Sequence, residues 1–114
     1  MTSNTQRTMT QLRKKGWVCA VVEKWNHHVK IRQDLWGWMD VIAYKDDITV
    51  GIQVCSMTGR KEHLNKILAN KYTKSWSASE NRLIQLWSWR KLKVKRGGKA
   101  FKWEAKIEEV FVAF

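Results

Sequence analysis

An α/β domain with a mixed central sheet and flanking helices is predicted by the order of segments along the chain, α-β-β-β-α-β-β. Three observations carry this reading. Two apolar, β-branched runs flank Lys45-Asp46-Asp47, a helical spacing of Leu64, Ile67 and Leu68 follows Gly59, and two longer strand-like runs flank Gly97-Gly98. With 114 residues, the chain is expected to form one domain, 1–114, able to bury a core without staples. It has no proline and only 6 glycines, so linkers are not expected.

Residues 2–15 read as a helix. Thr2, Ser3 or Asn4 can cap it, Met9 and Leu12 form its short apolar stripe, and Arg13, Lys14 and Lys15 suit the negative end of its dipole. Gly16 is a helix-stop residue. Residues 17–23 form a valine-rich run that reads as a buried strand, with Cys19 in the core. Residues 25–33 read as irregular or weakly stranded. Residues 39–44 and 48–55 read as a hairpin about Lys45-Asp46-Asp47. In its second strand Ile48, Val50, Ile52 and Val54 share one face, and Thr49, Gly51, Gln53 and Cys55 share the other. A helix is expected over 60–71 and a loop over 76–81. Residues 82–94 and 101–112 read as long strands joined by a two-residue turn at Gly97-Gly98.

Composition narrows the function. Net charge is +12, from 22 Lys and Arg against 10 Asp and Glu, which points to a polyanionic partner, DNA or RNA before a membrane. The longest wholly apolar run, 17–22, is six residues, against about 18 for a membrane-spanning helix, so no membrane role is expected. A hydrophobic content of 44% speaks against disorder. The polar stretch 2–10 does not read as a secretory signal, and the two cysteines read as reduced thiols, so a cytoplasmic protein is expected.

The acidic residues of this basic chain stand out. Asp46 and Asp47 suit turn geometry. Asp40 instead opens an apolar strand, and Gln53 sits near the end of the next. Polar groups there are expensive unless partnered. A hairpin turn centred between Asp46 and Asp47 sets Asp40 almost opposite Gln53. A carboxylate and an amide oxygen side by side suit Mg²⁺, a hard cation that takes oxygen ligands.

Several blocks in order carry a resemblance: Val22-Glu23-Lys24-Trp25-Asn26, Arg32-Gln33-Asp34-Leu35-Trp36-Gly37, Asp40-Val41-Ile42-Ala43, Gly51-Ile52-Gln53-Val54 and the late Trp89-Arg90-Lys91. Together they span most of the chain. The sequence resembles the PD-(D/E)XK nuclease superfamily, in particular its small Holliday-junction-resolvase-like and phage nuclease-like members. The superfamily pattern is an acid opening one strand, then Glu or Gln, any residue and Lys on the next. Here it reads Asp40, twelve residues, Gln53, Val54, Cys55.

The resemblance implies a restriction-endonuclease-like core and a Mg²⁺- or Mn²⁺-dependent DNA endonuclease, with branched or junction DNA as a candidate substrate. It implies Asp40 and Gln53 as metal ligands, with Asp34 and Glu23 as further candidates for the metal or its water. Cys55 departs from the pattern, since a thiol supplies no positive charge and is a poor Mg²⁺ ligand. Lys24 is then the first candidate for the missing cation, with Arg32 also available to meet charge on the phosphate. A homodimer is expected, because a symmetric pair can cut two strands. The alternative is a non-catalytic DNA-binding module on the same fold. A third reading is a protein that uses a tryptophan-rich surface on another protein.

Each residue also has a plainer role open to it. Asp40 can be a structural acid bonded to backbone or to Arg32, and Gln53 a hydrogen-bonder at the sheet end. Asp34 can form an Asx-turn before Gly37, and Glu23 can pair with Lys24 or Arg32. His27 and His28 are adjacent on an extended chain, point apart, and lack ligands at zinc spacing, so they read as polar side chains facing solvent or DNA. Cys55 reads as a buried thiol. The stretch 90–102 holds Arg90, Lys91, Lys93, Lys95, Arg96, Lys99 and Lys102 without an acid, and a nucleic-acid backbone is its expected partner. Arg13, Lys14 and Lys15 can extend that surface. Trp87, Trp89 and Trp103 read as core, while Trp36 and Trp38 can either pack or stack on a base.

Overall fold

The computed structural model describes residues 2–112. Helix α1 (Asn4–Lys14) opens the fold. The Ser3 hydroxyl accepts from the Gln6 backbone N–H at 3.1 Å, and the Gln6 side chain accepts in return from the Ser3 N–H at 3.2 Å. This capping box fixes the first turn. Strands β1 (Val18–Val21), β2 (Lys24–Asn26), β3 (Ile31–Gln33), β4 (Val41–Lys45) and β5 (Ile48–Ser56) follow. A 3₁₀ turn leads into α2 (Arg60–Ala69) and α3 (Lys71–Trp76), and β6 (Arg82–Lys93) and β7 (Phe101–Glu109) close the fold.

Five strands form one mixed sheet in the order β1-β4-β5-β6-β7, while β2 and β3 pair apart from it. The β5–β6 pair is parallel and its neighbours are antiparallel. Helix α1 covers one face, where Met9 and Leu12 pack on Val41, Val50, Ile52, Val54, Trp87 and Trp89. Helices α2 and α3 cover the other, where Ile67 and Trp76 pack with Trp38, Met39, Cys55, Ile84 and Leu86. Both faces of β5 are therefore buried, which accounts for its apolar character. Gly51 is required by close approach, since a Cβ there would stand 2.3 Å from the Trp38 ring.

The expected α/β class holds, and the β4–β5 hairpin turns on Asp46-Asp47, pairing Lys45 with Ile48 and Val41 with Ile52. Several expectations need correction. The run 17–23 is not a buried strand. β1 is an edge strand with one neighbour, Val18 and Val21 are exposed, and only Trp17 and Cys19 reach the α1 side of the core. Of the two readings of residues 25–33, the weakly stranded one holds: three-residue strands β2 and β3 pair as a hairpin. The helix expected over 60–71 breaks at Asn70, whose side chain accepts from the Tyr72 N–H at 2.8 Å and starts α3. Leu68 is exposed, and α3 ends at Trp76, so the loop expected over 76–81 begins one residue later, at Ser77.

The β6–β7 register is centred on Gly97, but pairing ends at Lys93 and Phe101. The connection is a longer loop with a turn closed by the Gly98 N–H on the Lys95 carbonyl at 3.1 Å, so Arg96-Gly97 forms the bend. Trp87 and Trp89 are core, as expected. Trp103 is not: it lies on the edge strand β7 and stays exposed, with the Arg7 guanidinium of α1 3.7 Å over its ring. No helix among the described residues is long and apolar enough to cross a membrane.

Candidate metal centre

The site forms at the end of the sheet where β4 begins and β5 finishes. The Asp40 N–H donates to the Ile52 carbonyl at 2.8 Å, and the Val22 N–H donates to the Asp40 carbonyl at 2.9 Å. Asp40 is thereby locked between β5 and the chain leaving β1. Its side chain lies on the α2 face, as does that of Gln53. The Gln53 amide donates to the Asp40 carboxylate, and the Val54 N–H donates to the same oxygen at 2.8 Å. Asp40 and Gln53 are 3% and 1% exposed, so these polar groups meet each other rather than water.

The β2–β3 excursion brings two more acids to this point. Glu23 precedes it and Asp34 follows it, and ligand oxygens of Glu23, Asp34 and Asp40 lie within 4.8 Å of one another. Among the described residues this is the one such cluster of three. Asp34 accepts from the Gln53 amide at 3.3 Å and from the Lys66 ammonium of α2. Glu23 accepts from Arg32 at 3.1 Å. An open cleft lined by Arg32, Gln33, Asp34, Gly37 and Lys66 leads to the acids from solvent.

The electrostatics follow from burial and crowding. Burial, then the hydrogen bond and charge of Asp34, push the Asp40 carboxyl up to about 8 against the opposing Val54 N–H. Burial also acts upward on Asp34, but hydrogen bonds with Asp40, Lys66 and Gln53 and the Lys66 charge outweigh it, so Asp34 titrates below its ordinary 3.8. The two carboxyls thus share one proton, held by the more deeply buried partner. The Gln53 carbonyl oxygen is buried without a partner. Rotating the amide would turn that oxygen toward the carboxylates, which only a cation between them would favour. The oxygen-rich donor set and this orphaned oxygen fit a hard divalent ion.

Residue by residue, Asp40, Gln53, Asp34 and Glu23 come together. Lys24 stands exposed on β2 and makes no ion pair with them among the described residues. Two cations touch the cluster, Arg32 through Glu23 and Lys66 through Asp34, and of these sequence reasoning did not single out Lys66. The signal for it was its place on the helix after β5, one residue before the buried Ile67. Cys55 is buried against Ser88 Oγ at 3.5 Å, and burial first of all pushes its thiol up, so it stays protonated. His27 and His28 lie exposed on the β2–β3 loop, outside the acidic cluster. Trp38 is fully buried and Trp36 is exposed.

The basic stretch has a defined position. β6 pairs with β5 only as far as Trp89 opposite Ser56, so Arg90 to Lys93 overrun the end of β5. At roughly 3.3 Å per residue the overhang is on the order of 13 Å before its loop begins. It projects past the same sheet end that holds the acids. Lys91, Lys93, Lys95, Arg96 and Lys99 are exposed on this arm, whereas Arg90 is paired with Glu104 at 3.1 Å. Comparison of the chain with protein families, with curated proteins and with solved structures matches none of them.

Proposed function

We propose that the chain is a divalent-metal-dependent DNA endonuclease of the PD-(D/E)XK kind. The single observation that carries this reading is the convergence of Glu23, Asp34 and Asp40 on one point at the sheet end, with Gln53 between two of them. Asp40, Asp34, Glu23 and the carbonyl oxygen of Gln53 would hold Mg²⁺ or Mn²⁺. When bound, such an ion supplies Lewis-acid polarisation of a phosphate and a more acidic water.

The chain's own groups do the rest. Asp40 is anchored by backbone on both sides and sets the position of the acids. Asp34, which lines the open cleft, and Glu23, within reach of it, orient the attacking water. Lys66 takes the part of the absent pattern lysine, presenting an ammonium to the charge that grows on the phosphate. The Lys91–Lys99 arm and Arg32 hold the backbone of the same DNA. Two copies are needed to cut two strands at one place, so a two-fold dimer is part of the proposal.

A second reading is favoured by Cys55. A protonated, buried thiol where the pattern has lysine suits a DNA-binding module that does not cut. One experiment separates the two. Labelled duplex, single strand, flap and four-way junction are incubated with Mg²⁺, with Mn²⁺ or with a chelator, beside Asp40→Asn. Cutting that needs the ion and disappears in Asp40→Asn is the expected result. Salt-sensitive binding without cutting under either ion overturns the hydrolase and leaves the module.

A further inference from the structure

We infer that the aromatic cleft beside Trp36 takes an unpaired nucleobase of DNA whose backbone lies at the acids. This rests on the nucleic-acid reading above and names the substrate class: DNA with at least one unstacked base next to the site.

The turn that delivers Asp34 to the acids also displays Trp36. It is closed by the Gly37 N–H on the Asp34 carbonyl at 3.1 Å. Trp36 sits there at φ 55°, followed by Gly37 at 81°; a bulky side chain rarely adopts the former. The conformation is held from outside, because Asn70 donates to the Trp36 carbonyl at 2.9 Å. Trp36 is left 49% exposed, although Trp38, two residues on, is wholly buried. A strained turn thus keeps one indole in solvent, one residue from the cleft that leads to Asp34.

The opposing wall is rigid. Trp36, Tyr72, Ser75, Trp76 and Arg82 line the cleft. The Trp36 and Trp76 rings stand 6.3 Å apart at 48°, an open wedge rather than a closed stack. Trp76 is fixed by its indole N–H on the Leu83 carbonyl at 2.9 Å and by an edge contact with Trp38. Arg82 is fixed by hydrogen bonds to the Trp76 and Ser75 carbonyls at 2.8 and 3.1 Å. Tyr72 is exposed, with the Lys71 ammonium 5.0 Å from its ring centre.

Charge selects the occupant. None of the lining residues is acidic, Arg82 lines the cleft, and Lys71 stands by the Tyr72 ring on its wall. A flat π-system attached to a polyanion satisfies both the rings and the cations. A paired base offers neither face, since both are stacked in the duplex, so the cleft selects unpaired positions.

The test is an equilibrium titration of the full chain in chelator, where no cutting occurs. The ligands are a fully paired duplex and the same duplex with a short flap carrying a fluorescent adenine analogue. The expected result is quenching of the analogue and a flap affinity about tenfold or more above duplex. Trp36→Ala abolishes that preference and the quenching and leaves duplex affinity within about twofold, while Trp36→Phe keeps most of both. Tyr72→Ala reads the same way from the other wall and serves if Trp36→Ala does not fold. Preference and quenching that survive these changes, or equal losses on duplex and flap, overturn the inference. Wild-type binding to duplex with no preference for the flap overturns it too, yet leaves the nuclease reading standing. Preference without metal-dependent cutting sinks the nuclease and leaves the inference. No binding to either DNA overturns both.

Discussion

The Gln53 amide donates to the Asp40 carboxylate across the β4–β5 hairpin, and the Val54 N–H closes on the same oxygen at 2.8 Å. A buried acid is thus held by neutral donors only. Such an arrangement tolerates a protonated carboxyl and rewards a cation that replaces the proton.

The first prediction concerns pH. The folded chain holds on Asp40 a proton, up to about pH 8, that an unfolded carboxyl releases near its ordinary 3.8. A raised pKa gives stability that is full below the unfolded value and lost as pH rises through the folded one. The metal-free protein should therefore lose stability between about pH 4 and 8, by at most about 1.4 kcal/mol per pH unit. Asp34 acts with the opposite sign and in another window. Its lowered pKa gives stability present above 3.8 and lost at more acid pH. Thermal melts in chelator across this range should show the decline in the wild type and a flatter profile in Asp40→Asn.

Lys66 and Lys24 are separable. Lys66→Ala should lower the cleavage rate about 10²-fold or more, the scale for one removed transition-state donor, while Mn²⁺ affinity holds or rises because a competing cation has left Asp34. Lys24→Ala should change the rate only slightly, since its ammonium has no contact with the acids. Single-turnover rates with separately measured metal affinity check both, and equal losses would return the role to Lys24.

Gln53→Glu introduces the acid that is commoner at this position in the pattern the sequence resembles. In chelator it should destabilise the fold, because a fourth carboxyl joins Glu23, Asp34 and Asp40 without a new cation. In Mg²⁺ it should bind the ion more tightly. Melting temperatures with and without Mg²⁺ should diverge further for the variant than for the wild type, and a smaller divergence would argue against Gln53 as a ligand.

The arm should act through the phosphates alone. Replacing Lys93, Lys95, Arg96 and Lys99 by Gln should weaken all DNA ligands alike. The slope of log affinity against log salt should fall by about 0.9 for each phosphate no longer neutralised. An unchanged slope would make the arm a solvated tip.

The Asp40–Gln53 pairing was legible in the sequence because a tight hairpin has one sharp register, and Asp46-Asp47 marks its turn plainly. Glu23 and Asp34 entered only through the resemblance. Their convergence depends on the three-residue strands β2 and β3, whose mixed pattern carries no usable period. For Lys66 the place on the helix after β5 was the one signal, and it was not enough, because contact with Asp34 depends on how α2 lies across the sheet end, a tertiary fact. The edge position of β1 was missed for a related reason, since a valine run says nothing about how many neighbours a strand has. Trp103 shares a sheet face with Trp87 and Trp89, but β6 is an interior strand and β7 an edge, and strand order is not written in the local pattern.

The most direct measurement is a calorimetric Mn²⁺ titration of wild type and Asp40→Asn at about pH 8.5, above the Asp40 pKa, with folding verified for both. Saturable binding by the wild type, weakened about tenfold or more in the variant, is the predicted result. No binding by the wild type, or equal binding by both proteins, would contradict a metal centre built on Asp40.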